Sequence, residues 1–73
     1  MEKQELQQKI GQRVVRLRMA RNWSQADLAR ATLKDRQSIE RLENGKVNPS
    51  LYYLQEVAKA LDVPLTQLIE VDT

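Results

Sequence analysis

The chain has 73 residues, 41% of them hydrophobic, and carries twelve Lys and Arg residues against ten Asp and Glu. This length suits one small domain with one core, so we predict a single domain over 1–73. The absence of cysteine and histidine excludes disulfides and most transition-metal sites, and we expect no metal or other cofactor. Neither a membrane-spanning run nor a signal-peptide pattern is present, so we expect a cytoplasmic protein.

The spacing of apolar residues is helical along nearly the whole chain and begins with one stripe in a long first helix. The members of this stripe are Leu6, Ile10, Val14 and Leu17. We predict that the helix ends near 21–22 and that Ser24 is the N-cap of a second helix. This second helix is predicted from Gln25 to about Ala31, and Asp27 completes a variant of the capping box.

The third helix is predicted to have a narrow buried stripe and a wide polar face. It follows a turn at Thr32–Lys34, takes Asp35 as its N-cap and runs over Arg36–Glu43. Ile39 and Leu42 are its apolar residues. The Asn-Gly pair that comes next predicts the end of the helix, because glycine readily adopts the left-handed conformation.

Two more helices complete the predicted fold, which is all-α and has five helices. The Asn-Pro-Ser run at 48–50 caps the fourth helix, and Pro64 suits the first turn of a short fifth helix. The apolar residues of the fourth helix are Leu51, Leu54, Val57, Ala58 and Leu61, and those of the fifth are Leu65, Leu68 and Ile69.

Charge is distributed unevenly along the sequence. Residues 1–46 have a net charge of +5, whereas residues 47–73 have a net charge of −3. This asymmetry fits a face that binds a polyanion, backed by a surface that meets another partner. A plain solubilising surface would give a similar asymmetry.

The run SQADLARATLKDRQSIERLENGKVNPS, at residues 24–50, resembles the phage-repressor and Cro family, which includes the Xre-type bacterial regulators. The likeness extends over about Ile10–Ile69, and its densest part, QSIE-x-LENGK at Gln37–Lys46, is similar to the recognition helix of the lambdoid phage 434-type repressors. It implies a compact lambda-repressor-like domain with a helix-turn-helix at 24–45, whose third helix enters the DNA major groove.

Two departures from the family pattern carry their own predictions. The turn usually has a glycine followed by a small aliphatic residue, where this chain has Leu33-Lys34, so we predict that Leu33 supplies the apolar plug. Arg36 and Arg41 replace the glutamines that flank Gln37–Glu40 in the 434-type helix. The DNA sequence that this helix reads should therefore differ from the sequence that the 434-type repressors read.

Three side chains on the polar face of the third helix are predicted to contact DNA bases, namely Arg36, Gln37 and Arg41. Glutamine pairs well with adenine N6/N7, and arginine pairs well with guanine O6/N7. Arg36 could hold a phosphate instead, and all three could be ordinary solvated residues.

A second set is predicted from the resemblance to contact the DNA backbone. Its members are Ser24, Gln25, Asn44 and Lys46. The N-terminus of a helix favours a phosphate, and such contacts fix the register without reading sequence. The alternative roles are helix capping for Ser24 and Asn44 and a solvated charge for Lys46.

The resemblance also pairs Arg18 with Glu43 in an ion pair that fixes the third helix on the first, and Arg18 could in addition face a phosphate. Trp23 is expected to pack on the core, with a position near the DNA backbone as the alternative. Because adjacent helical residues point about 100° apart, one of Tyr52 and Tyr53 must face outward.

These features favour a sequence-specific transcription regulator, expected to be a homodimeric repressor that reads a palindromic operator in double-stranded DNA. Self-association is predicted within 62–73, from Leu65, Leu68, Ile69 and Val71, with closure of the core as the alternative. Activation through RNA polymerase, as by restriction–modification controllers, is also open to this family. The alternative from another class is an Xre-type antitoxin with a toxin partner. No enzyme is expected, because the serines have no histidine partner.

Overall fold

A computed structural model describes residues 1–70 as five α-helices, with no strand among them. The helices are α1 (Lys3–Ala20), α2 (Gln25–Thr32), α3 (Arg36–Glu43), α4 (Leu51–Ala60) and α5 (Thr66–Ile69). The predicted all-α architecture is confirmed, and the bounds of α3 agree with the prediction. Within the described residues, none of the helices combines the length and the apolar character needed to cross a membrane.

The core is formed by apolar side chains from all five helices. The buried apolar residues are Ile10, Val14, Leu28, Ala29, Ile39, Leu42, Leu54, Val57, Ala58, Leu61 and Leu68. Three of the predicted apolar residues are instead exposed, namely Leu6, Leu51 and Ile69. Leu6 and Leu51 lie in the first turn of their helices, and all three line one surface groove.

The first helix ends at Ala20, slightly before the predicted end near 21–22, and a short corner joins α1 to α2. Arg21 is the C-cap of α1, and Asn22 adopts a left-handed conformation with φ 58°. Trp23 then donates its backbone N–H to the carbonyl of Arg18 at 3.2 Å. At its other end α2 includes Thr32, whose buried hydroxyl donates to the carbonyl of Leu28 at 2.9 Å.

Leu33 does not supply an apolar plug, and this prediction is wrong. The residue is 92% exposed and closes α2 in the left-handed conformation, with φ 57° and ψ 35°. Its backbone N–H and that of Lys34 cap the last carbonyls of α2. The residue therefore takes the backbone conformation that glycine adopts without strain, and its side chain points to solvent.

Replacing Leu33 with glycine should stabilise the domain by about 0.5–1 kcal/mol, because left-handed strain is removed and no packing is lost. Urea unfolding measures this gain. The matched control is Ala31→Gly, at an exposed helical position two residues earlier, which should lose about 1 kcal/mol. Destabilisation by Leu33→Gly would show that the leucine side chain has a packing partner.

The last helix closes the core against α1. Leu68 is fully buried and Leu65 partly buried, whereas Ile69 is exposed. The guanidinium of Arg13 donates to the carbonyl of Glu70 at 2.7 Å and so fastens the end of α5 to α1. Part of the segment predicted for self-association is thus used by the core, and Val71 lies outside the described residues.

Candidate nucleic-acid interface

The outward face of α3 carries Arg36, Gln37 and Arg41, all three exposed. The opposite face is buried, because Ile39 and Leu42 lie in the core. As a result the polar side chains project from the domain as a row along one helix. An α-helix that is exposed in this way has the dimensions to enter the major groove of DNA.

Both ends of α3 are fixed by local hydrogen bonds. The carboxylate of Asp35 accepts from the backbone N–H of Ser38 at 2.7 Å, which is the predicted N-cap. At the other end Gly45 has φ 70°, and its N–H donates to the carbonyl of Leu42 at 3.2 Å. Helix capping therefore holds α3 to the length that the sequence predicts.

Gly11 allows α1 to approach α3 at backbone distance. A β-carbon at this position would lie 2.5 Å from the carbonyl oxygen of Glu43 and 2.6 Å from that of Leu42. Both oxygens are backbone atoms of the last turn of α3. Neither can rotate away from a new methyl group as a side-chain atom could. The backbone of α1 is thus the surface against which the candidate recognition helix rests.

A buried ion pair joins the same two helices. Arg18 Nε donates to Glu43 Oε2 at 2.7 Å, and Arg18 Nη2 donates to Glu43 Oε1 at 3.0 Å. The two side chains are 12% and 2% exposed. Arg18 Nη1 also donates to the carbonyl of Trp23 at 2.7 Å. This bidentate geometry satisfies the carboxylate of Glu43 at both oxygens.

Hydrogen bonds continue from this ion pair to the outward face of α3. Gln25 Nε2 donates to Glu43 Oε1 at 2.9 Å, while Gln25 Oε1 accepts from Arg36 Nη1 at 3.3 Å. Arg36 Nη1 also donates to Glu40 Oε2 at 3.1 Å. We call these five residues, Arg18, Glu43, Gln25, Arg36 and Glu40, the polar relay. It connects the buried interior to a side chain that could touch DNA.

Gln25 and Glu40 take part in this relay in a way that the sequence did not predict. Gln25, expected only at a phosphate, bridges Glu43 and Arg36. The i, i+4 spacing of Arg36 and Glu40 is a usable sequence signal for their ion pair. By contrast, the link from α2 to α3 has no local sequence signature.

The remaining candidate backbone contacts lie at helix ends. Ser24 and Asp27 form a reciprocal capping box, in which the N–H of Ser24 donates to the Asp27 carboxylate at 2.8 Å and lowers its pKa. Asn44 follows α3 as its C-cap, and Lys46 lies two residues further on. The side chains of Ser24, Asn44 and Lys46 are exposed.

Tyr53 couples α4 to α3, and Tyr52 is the tyrosine that faces outward. The Tyr53 hydroxyl shares a hydrogen bond of 2.8 Å with the hydroxyl of Ser38, and Lys34 Nζ lies 5.2 Å from the centre of its ring. Tyr52 is 73% exposed. Trp23 packs against the core, with the Arg21 guanidinium 4.6 Å from its ring centre.

Comparison with known proteins gives concordant results. The family model HTH_3, described as helix-turn-helix, matches residues 14–68. The restriction-modification controller protein C.AhdI from Aeromonas hydrophila has a similar structure, with a TM-score of 0.88 and 34% identity. That match covers 93% of this chain and 99% of C.AhdI.

Two further structures are similar. The hypothetical transcription factor NHTF from Neisseria has a TM-score of 0.86 and 29% identity, over 94% of this chain and 79% of that one. An HTH_3 family transcriptional regulator from Vibrio cholerae has a TM-score of 0.88 over 94% of this chain and 39% of its own. At 19% identity it shows the fold alone. A search of curated protein sequences gave no match.

Proposed function

We propose that this chain, which belongs to the HTH_3 helix-turn-helix family, is a transcription regulator that reads a specific DNA sequence with α3. The observation that carries the proposal is the exposed polar face of α3, on a helix fixed at both ends and buried along its other side. Family membership and the likeness to transcription regulators support DNA binding itself.

Base reading is assigned to Arg36, Gln37 and Arg41. Gln37 and Arg41 are one helical turn apart, so that they can meet neighbouring base pairs on the groove floor. The run Gln37–Glu40 is shared with the 434-type recognition helix, but arginines stand on both sides of it here. We therefore expect an operator with a guanine next to the adenine that Gln37 would read.

The DNA backbone contacts are assigned to Ser24, Gln25, Asn44 and Lys46. Ser24 and Gln25 lie at the N-terminus of α2, where free N–H groups and the helix dipole attract a phosphate. Asn44 and Lys46 follow the C-terminus of α3. Contacts at both places would clamp α3 in the groove and set its register.

The proposal is tested by selecting bound sequences from a random pool of DNA duplexes. Gln37→Ala should lower the discrimination between bases at one base pair per half-site by about 1–3 kcal/mol. The matched control, Lys46→Ala, should weaken all sequences alike and flatten the salt dependence of binding by about one unit. Recovery of no enriched sequence by the unmodified protein would contradict specific reading.

We further propose that two copies bind a palindrome. We assign the contact between the two copies to the groove between α1, α4 and α5, which has the exposed apolar residues Leu6, Leu51 and Ile69 on its walls. Half-sites one helical turn apart place two recognition helices about 34–36 Å from each other. The longest of the domain's principal-axis extents, 31 × 22 × 21 Å, is only slightly shorter than this spacing, so contact between neighbouring copies on one DNA face is part of the proposal.

Ile69→Lys should weaken self-association about tenfold or more, because it places a charge in this apolar groove. Sedimentation equilibrium measures the dissociation constant. Leu33→Lys is the control, since Leu33 is exposed but lies outside the groove. A monomeric unmodified protein, or equal effects of the two variants, would contradict the assigned surface.

The regulator could repress or activate transcription. We favour repression by occupation of a promoter, and a reporter gene behind the selected sequence measures it. The likeness to C.AhdI over nearly the full length of both chains favours a second candidate, a controller of restriction–modification genes. Activation of the reporter would favour that candidate. Co-purification of a small basic toxin would instead favour the antitoxin alternative.

A further inference from the structure

Glu40 is an acidic residue on the face of α3 that is proposed to meet DNA. Its carboxylate pairs with Arg36 at 3.1 Å, and the two side chains are 45% and 58% exposed. The exposed cations at the same helix and just after it are Arg36, Arg41 and Lys46. A carboxylate placed among them opposes the attraction of this surface to a polyanion.

The ion pair is poorly explained as a device for helix stability. Arg36 is the first residue of α3, where the helix dipole disfavours a cation, and Glu40 lies on its C-terminal side. An acid that follows its base by four residues is the weaker orientation of such pairs. Exposed pairs of this kind contribute little in any case. The arrangement therefore points to a role in binding.

We propose that Glu40 is a specificity-determining residue, which holds the Arg36 guanidinium over α3 and so penalises non-specific DNA binding. This inference rests on the proposed function and names how the same surface discriminates between sequences.

The polar relay supplies the mechanism. Arg36 Nη1 is held by both Gln25 Oε1 and Glu40 Oε2, which keeps the guanidinium close to the helix that would enter the groove. An arginine has five N–H donors, so the remaining ones can pair with a guanine on the groove floor while Nη1 stays in place.

A phosphate on the groove wall poses a different requirement. To reach it, Arg36 has to leave Gln25 and Glu40, and the carboxylate of Glu40 then faces the polyanion without its partner. The free energy of the non-specific complex is raised by this loss. The specific complex keeps the pair and escapes most of the penalty, so Glu40 increases the ratio of specific to non-specific affinity.

The test is Glu40→Gln, which keeps the size of the side chain and removes its charge. Binding is measured to the selected duplex and to a scrambled duplex of equal composition, at several salt concentrations. We expect binding to the scrambled duplex to become about fivefold tighter. This is the effect of removing one negative charge that lies close to a DNA phosphate in water. Its salt slope should steepen by about 0.9. Binding to the selected duplex should tighten less than binding to the scrambled duplex, so the ratio of specific to non-specific affinity should fall.

Two controls isolate the cause. Glu56→Gln removes an equal charge from α4, where Glu56 pairs with Lys34 at 3.4 Å, and should leave the specificity ratio unchanged. In an Arg36→Ala background, Glu40→Gln should tighten both duplexes equally, because no guanidinium remains to be held. Thermal unfolding of each variant verifies that the domain is folded.

The outcomes separate the two proposals. Equal tightening of both duplexes by Glu40→Gln alone would overturn the role of Glu40 and leave the proposed function intact. The role of Glu40 is likewise overturned if Glu56→Gln lowers the specificity ratio as much as Glu40→Gln does. A protein that enriches no sequence from the random pool contradicts the proposed function, and the discriminating role fails with it.

Discussion

Arg18→Met is expected to remove about 3–5 kcal/mol from the free energy of unfolding, because it leaves the carboxylate of Glu43 buried without a cation. The Glu43 side chain is 2% exposed, and of its present partners only the amide of Gln25 would remain. A domain of this size has roughly 4–11 kcal/mol in total. The variant should therefore be largely unfolded in moderate urea.

Urea unfolding of Arg18→Met, Glu43→Met and the double variant measures the coupling. The double variant should recover much of the loss, since two apolar side chains of similar size can replace a buried pair. Arg16→Met, at an exposed position of α1, is the matched control and should change stability by less than about 0.5 kcal/mol. A cost below about 1 kcal/mol for Arg18→Met would indicate that water reaches Glu43 and screens it.

Gly11→Ala should cost about 1–3 kcal/mol, although alanine is the better helix former by about 1 kcal/mol. The new methyl group would meet two backbone oxygens of α3 at 2.5 and 2.6 Å. Relief requires α1 and α3 to move apart, because neither oxygen can rotate away. The recognition helix then shifts relative to α2, so affinity for the selected duplex should fall as well.

Gln12→Ala is the control for this variant, since Gln12 is exposed on the same helix. It should leave both stability and DNA affinity near those of the unmodified protein. Chemical shifts of α3 amides in the folded Gly11→Ala protein separate displacement of the helix from simple loss of stability. Unchanged α3 shifts together with unchanged affinity would mean that the contact relaxes within α1.

Local signals explain how much of the fold could be predicted. Asp35 and Gly45 mark the two ends of α3 in the prediction and in the structure alike. These ends were predictable because helix capping depends on residues within one turn. The capping box of Ser24 and Asp27 was predicted on the same basis. The buried Ile39 and Leu42 follow from helical periodicity alone.

Features that depend on distant parts of the chain could not be predicted in this way. The link from Gln25 to Arg36 requires α2 and α3 to be packed first, and no pattern in either helix indicates it. Leu6 continues the apolar stripe of α1, yet it is exposed because the core lies against later turns of that helix. The prediction that Leu33 supplies an apolar plug was wrong because a leucine in the left-handed conformation cannot be recognised from the amino-acid sequence, whereas a glycine at such a position can.

The position of Trp23 gives the protein a built-in optical reporter. It is the single tryptophan in the sequence, it packs on the core beneath a guanidinium, and its carbonyl accepts a hydrogen bond from Arg18. Ser24 and Gln25, the proposed phosphate contacts on α2, follow it directly. Its fluorescence should thus respond to unfolding, to repacking around Glu43 and to occupation of the α2 end by a duplex, each without an added dye.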